Sequence, residues 1–187
     1  MLIVSFYTPA YAEHARVLRA SCDRFNYAHH IQPRASVGKW VANCNMKPSV
    51  VLEALEGAVA PVLWLDADAE ILRPLDDLEA ITADFAIYQQ PDTSTKSRFR
   101  SGTVFFRPTA DSVALVQDWA DRAAKEPIRV WDQGHLCLAW KQSTISTHWL
   151  PITYCQRFDE AEAAANLNPV PDPHIVHYQA SRFLRRD

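Results

Sequence analysis

Val62-Leu63-Trp64-Leu65-Asp66-Ala67-Asp68-Ala69-Glu70 decides how the rest of the 187-residue chain reads. Four apolar residues run into two carboxylates one residue apart. A run that short and apolar is a strand buried on both faces. Such a strand passes into aspartate only where its carboxyl end opens into a cleft, and that end is where open α/β sheets bind ligands. Asp66 and Asp68 offer hard oxygen ligands to a divalent cation, which can bridge to a diphosphate. A strand ending in a solvated turn would explain a lone Asp-x-Asp equally well. The preceding strand and the motifs further along the chain tip the reading towards a site.

Outward from that stretch, hydrophobic periodicity sets the frame. Upstream, Leu2 to Tyr7 reads as a first strand, Tyr11 to Cys22 as a helix, and Tyr27 to Gln32 as a weaker strand. Residues 33–46 read as irregular and hold Trp40, Asn43 and Asn45. Pro48 suits the first turn of a helix running to Leu55, ended by Gly57. Downstream, Pro74 to Ile81 reads as a short helix, Phe85 to Gln89 and Thr103 to Arg107 as strands, and Pro108-Thr109-Ala110-Asp111 as the start of a helix reaching Lys125. Asp132 to Trp140 and Asp159 to Ala165 read as helices, and Ser143 to Leu150 and His174 to Tyr178 as strands. Strands alternating with helices imply an α/β fold with a mostly parallel sheet flanked by helices.

Composition narrows the classes. With 48% hydrophobic and 22% charged residues, the chain fits a single compact domain over residues 1–187. A formal charge of −3 gives no sign of a general nucleic-acid binder. The cysteines at 22, 44, 137 and 155 form no CxxC pair, and read as reduced thiols of a cytoplasmic protein. The apolar start, Met1 to Phe6, is too short to cross a bilayer and lacks a basic flank, so no integral membrane segment is expected. Four glycines leave no material for a glycine-rich phosphate loop.

Six short motifs, in order, resemble the GT-A-type nucleotide-diphospho-sugar glycosyltransferases, nearest to the retaining glycogenin-like and galactosyltransferase-like group. Ser5-Phe6-Tyr7-Thr8-Pro9-Ala10-Tyr11 resembles the first strand and nucleotide loop, and Lys47-Pro48 the opening of the helix before the metal strand. Leu63 to Asp68 resembles the DxD metal motif. Ser101-Gly102-Thr103-Val104-Phe105-Phe106-Arg107 is similar to the Asn/Ser-Gly strand, Trp131-Asp132-Gln133 to the Asp-Gln helix start, and His174-Ile175-Val176-His177-Tyr178 to the late histidine strand.

The resemblance implies a GT-A (Rossmann-like) fold and transfer of a sugar from a nucleoside-diphosphate sugar, UDP being the commonest nucleotide, to a hydroxyl acceptor with retention. It implies Asp66, Asp68 and His177 as metal ligands, with Asp66 also near the ribose. Such mixed oxygen and imidazole ligation suits Mn²⁺ and tolerates Mg²⁺. Thr8 and Tyr11 would flank the nucleotide base, where an aromatic face suits stacking. Lys47 points to the donor sugar or the diphosphate. Ser101 and Gly102 would let backbone approach the donor sugar. Gln133 would support the reacting carbon and Asp132 would hold a sugar hydroxyl, or act as general base if the reaction inverted. Arg182 stands one position early for the usual lysine, and could clamp the diphosphate. Ala180 stands where relatives often carry glycine.

Each of these has a plainer reading: Asp132 a helix cap, Lys47 a surface lysine, His177 a core histidine, Tyr11 a core aromatic. Trp119 and Trp140 read as core, whereas Trp40 and Trp131 could stack on a sugar. Lys96, Arg98 and Arg100 read as a lid over the donor or, less readily, as a track for phosphates. The acceptor is expected to be a glycan, with a nucleic-acid base the less usual choice. A non-catalytic sugar-nucleotide-binding module and a DxD-type phosphohydrolase are the rival classes. The second wants its DxD on the first strand, whereas here it follows two helices.

Overall fold

The structure is a computed structural model, and it describes residues 1–90, 98–158 and 170–184. The helix expected over Asp159 to Ala165, Lys96 of the basic loop, and Arg185 and Arg186 lie outside the described residues. The elements run β1 (Leu2–Tyr7), a 3₁₀ turn (Pro9–Tyr11), α1 (Ala12–Arg24), β2 (Ala28–Pro33), α2 (Trp40–Cys44), α3 (Lys47–Leu55), β3 (Val62–Leu65) and β4 (Ala69–Ile71). They continue as α4 (Asp76–Glu79), β5 (Phe85–Gln89), β6 (Phe99–Phe106), α5 (Ala110–Lys125), α6 (Asp132–Gln142), β7 (Thr147–Trp149), β8 (Gln156–Arg157), β9 (Ile175–His177) and α7 (Ser181–Leu184).

Two sheets share the work. The larger has the order β2-β1-β3-β6-β5-β7, and the smaller β4-β9-β8. In the larger sheet β1 pairs in parallel with β2 and β3, and β5 with β7, while β6 runs antiparallel to both its neighbours. The mostly parallel sheet expected from the alternation of elements is therefore present, interrupted by one reversed strand. That reversal matters for the site. It brings Ser101-Gly102-Thr103 of β6 against the carboxyl end of β3, where Leu65 pairs with Thr103 and the Asp66 amide donates to the Gly102 carbonyl at 2.9 Å.

β3 is fully buried because both of its faces carry core. Val62 and Trp64 pack under α3, α5 and α6 with Val51, Leu115 and Trp119, whereas Leu63 and Leu65 face α1 and the small sheet with Leu18, Ile71 and Ile175. The period of two in the sequence thus maps one residue to each layer. The small sheet is tied to the large one through α1: Ser21 Oγ accepts from the Ile71 amide at 3.1 Å.

Several expected elements differ in extent: β6 starts at Phe99 rather than Thr103, and β7 keeps only Thr147–Trp149 of the strand expected over 143–150. The helix read over 74–81 keeps only Asp76–Glu79, because Pro74 and the turn at Leu75 delay its start. The irregular stretch before Lys47 contains the short helix α2. α5 begins as its sequence signals, with Thr109 at the N-cap and its Oγ1 accepting from the Ser112 amide at 3.3 Å. Removing that acceptor leaves an orphan helix donor. Thr109→Ala should lower stability by about 1 kcal/mol in urea unfolding without changing the slope of the transition.

Candidate active site

Lys47, Asp66, Asp68, Ser101, Gly102, Asp132, Gln133 and His177 all line one cavity of about 310 Å³ at the carboxyl end of β3. Thr8 and Tyr11 line it from the end of β1, and Trp40 and Trp131 from α2 and the start of α6. The chain thus gathers at one place residues separated by up to 169 positions.

A buried ammonium organises the near wall. Lys47 sits on the first turn of α3 and is only 4% exposed. Its Nζ lies 2.8 Å from Asp66 Oδ1 and 2.7 Å from Asp132 Oδ2. It also donates to the Ser101 carbonyl and hydroxyl at 3.1 and 3.2 Å, and sits 5.4 Å over the Trp64 ring. Burial alone would pull the lysine down, but the charges of Asp132 and Asp66 outweigh it and hold the ammonium well above its ordinary range. Lys47 is therefore no plain surface lysine.

Asp132 is the first residue of α6, with Trp131 at the N-cap. Its carboxylate does not serve as a helix cap. It is 5% exposed and accepts from Lys47 and from the Ser101 hydroxyl at 2.7 Å, while its carbonyl accepts from the Trp119 indole at 2.8 Å. Gln133 turns the other way: its Oε1 accepts from the Ser101 amide at 3.1 Å. An amide donor demands the oxygen there, so the side-chain orientation follows from the backbone of β6.

The opposite wall holds the possible metal ligands. Asp66, Asp68 and His177 place one ligand atom each within 4.8 Å of one another. Asp68 is fixed by the turn that follows β9. Its carbonyl accepts from the Tyr178 amide at 3.0 Å, and its Oδ2 from the Ala180 amide at 2.9 Å. Closing that turn puts Gln179 in the left-handed region, with φ 53°. His177 is delivered by β9, in register with Ala69 of β4. Its Nε2 meets Thr103 Oγ1 at 2.9 Å, and its Nδ1 lies 3.9 Å from Asp68 Oδ1. Burial pulls the imidazole down, but hydrogen bonding to Asp68 and Cys155 overrides it and pushes it up to about 10. Burial likewise raises the Asp68 carboxyl, and the His177 partner brings it below its ordinary value. An anchored imidazole and two carboxylates with ligand atoms this close are a donor set that fits a divalent cation.

Gly102 lines the cavity, where a donor sugar is its expected neighbour, and the structure shows a second reason for its size: a Cβ there would stand 2.8 Å from His177 Cε1. Small size at 102 is what lets the imidazole reach its place. Arg182 is exposed on α7, and the cavity wall from that segment is formed by Gln179 and Ser181. Of the basic cluster, Arg100 lines the cavity and stacks on Tyr88 at 5.1 Å, whereas Arg98 lies over Trp140 at 5.7 Å. Arg157 of β8 lines the cavity too, and sequence reasoning had not singled it out.

Comparison with known proteins bears on the family and the fold. A profile for nucleotide-diphospho-sugar transferases matches residues 35–182. Among solved structures, a glycosyltransferase involved in glycosylating the major capsid of PBCV-1 superposes with a TM-score of 0.72 at 12% identity, over 94% of this chain and 91% of that one. GlyE of Streptococcus pneumoniae TIGR4 gives 0.66 at 16%, over 95% of this chain and 54% of GlyE. An active-site glutamine-to-glutamate mutant of LgtC gives 0.62 at 12%, over 96% and 87%. A search of curated protein sequences returned no match.

The fold is therefore that of the GT-A glycosyltransferases. The chain belongs to the nucleotide-diphospho-sugar transferase family, which makes it a sugar-transferring enzyme.

The Lys47 network carries its own prediction. Removing one partner of a buried charge cluster strands the others, at about 3–5 kcal/mol. Lys47→Met should cost about that much in denaturant unfolding. The double variant Lys47→Met with Asp132→Asn should recover part of the loss, because one of the two stranded carboxylates is then neutral.

Proposed function

We propose that the protein is a metal-dependent transferase that moves a sugar from a nucleoside-diphosphate sugar, UDP-sugars being the first candidates, to a hydroxyl of a glycan, with retention at the anomeric carbon. The observation that carries this reading is the convergence of Asp66, Asp68 and His177 on one side of a cavity whose other side holds Lys47, Asp132 and Gln133.

A bound Mn²⁺ or Mg²⁺, held by Asp66, Asp68 and His177, would supply positive charge to the diphosphate. The chain's own residues do the rest. Tyr11, half-buried beside Thr8, offers a flat face for the base. Lys47 and Ser101 hold the Asp132 carboxylate in place, so that it can orient a sugar hydroxyl at the edge of the cavity. Asp132 Oδ2 is already engaged by Lys47 Nζ and by the Ser101 hydroxyl, both at 2.7 Å, which suits the carboxylate to a positioning role. Gln133 Oε1 keeps a second lone pair after accepting from Ser101, and that lone pair suits an electron-poor anomeric carbon.

In the transfer, the bond between the anomeric carbon and the phosphate oxygen breaks, and its electron pair stays on that oxygen. The acceptor oxygen forms the new bond, and its proton passes to the leaving diphosphate. Trp131, 45% exposed and 6.2 Å from Trp40, gives the cavity mouth an aromatic edge suited to a pyranose ring.

A panel of nucleotide sugars with Mn²⁺, read by thermal shift and by release of nucleoside diphosphate, tests the proposal. At least one donor should stabilise the wild type and be slowly hydrolysed without acceptor. Asp68→Ala should lose both effects. Hydrolysis without metal, or an equal shift in Asp68→Ala, would contradict it. Binding without any turnover would favour a non-catalytic module.

A further inference from the structure

Charge around the cavity leaves a specific need. Among the described residues, the cavity is lined by three carboxylates, Asp66, Asp68 and Asp132, and by three permanent cations, Lys47, Arg100 and Arg157. Lys47 is spent on Asp66 and Asp132. With His177 neutral, as an imidazole that ligates a metal must be, these charges balance, and a divalent cation would tip them to a surplus of two positive charges. That surplus matches the two negative charges of a sugar-nucleotide diphosphate. It also falls short by one of what the free nucleoside diphosphate carries once its bond to the sugar has broken. The side chain nearest the cation is the one best placed to meet the added charge.

The small sheet decides which cation that is. β8 and β9 run parallel, with Arg157 in register with His177. Register partners on adjacent strands project from the same face of the sheet. Arg157 therefore shares a face with the imidazole, and both reach the same cavity. Arg100, by contrast, is stacked on Tyr88 and points Nη1 towards the Cys155 carbonyl at 3.5 Å, bracing the segment that carries Arg157. Arg182, which the sequence resemblance offers for the diphosphate, is exposed and does not form part of the cavity wall.

We infer that Arg157 is the guanidinium that binds the donor's diphosphate and stabilises the leaving nucleoside diphosphate, in place of Arg182. This rests on the donor reading above. A planar guanidinium presents a fixed fork of donors that can meet two phosphate oxygens at once, one from each phosphate, where a lysine acts as a point charge.

The test uses the full chain with Mn²⁺ and inorganic pyrophosphate as probe, followed by calorimetry, and donor hydrolysis as a second readout. Arg157→Gln should weaken pyrophosphate binding about tenfold or more, while Mn²⁺ alone binds as in wild type. Arg157→Lys should recover part of the loss, and Arg182→Gln should bind as wild type. In hydrolysis, Arg157→Gln should lower kcat more than it raises KM, because the added charge appears only as the bond breaks. Should Arg157→Gln fail to fold, Arg157→Lys decides alone, by a loss of about threefold or more against an unchanged Arg182→Gln. Unchanged pyrophosphate binding in Arg157→Gln, or a loss in Arg182→Gln of the size expected there, would overturn the assignment while leaving the donor reading intact. Wild-type protein that binds no pyrophosphate with Mn²⁺ would overturn the donor reading, and this assignment with it.

Discussion

A carboxylate at the end of a strand buried on both faces has to be compensated, and the structure depends on how that is done. Burying an uncompensated charge costs several kcal/mol, enough to remove much of the stability of a domain. Asp66 and Asp68 are compensated from opposite sides. Lys47, brought by the first turn of α3, meets Asp66. The turn after β9 offers backbone amides to Asp68 and places His177 beside it. The two solutions leave the carboxylates facing a shared space rather than each other's partners, and that space is the candidate cation site. The same lysine also joins Asp66 to Asp132, so the metal side and the reacting side of the cavity are parts of one charged network.

The reversed strand β6 links the two sides. Ser101 takes part in four bonds there, two with Lys47 and one each with Asp132 and Gln133. Its neighbour Gly102 gives the His177 ring room, and Thr103 holds that ring by Nε2. Three consecutive residues on one strand thus set the positions of the ammonium, the amide and the imidazole. The pairing of β5 with β6 shifts register here, from Ile87 with Val104 to Tyr88 with Arg100, so that these three residues form the irregular part of the strand. A rigid strand is a better support for such spacing than a loop.

Three strands of the large sheet, Leu2–Tyr7, Val62–Leu65 and Phe85–Gln89, are legible in the sequence as apolar runs. Of the small sheet only β9 is, within the strand read over His174 to Tyr178. β4 and β8 have three and two residues, too few to show any periodicity, and they are defined only by pairing with β9. The site divides along the same line. Asp66, Asp68, Gly102, Asp132, Gln133 and His177 sit in short motifs that carry their chemistry in residue type and order. Arg157 sits in no motif, and its approach to the cavity follows from register across a sheet that sequence does not reveal. Arg182 shows the converse: it follows His177 at almost the expected spacing, yet the left-handed turn at Gln179 carries Ala180 back to Asp68 and leaves Arg182 outside the wall. Gly102 was singled out for its size, and the neighbour that requires that size became visible only when β9 was in place.

Anomalous diffraction from crystals soaked in Mn²⁺ addresses the central claim most directly. The account predicts a single strong peak in the cavity, coordinated by Asp66, Asp68 and His177 and absent from Asp68→Ala crystals. A peak elsewhere with none between these three side chains, or one that persists unchanged in Asp68→Ala, would contradict it.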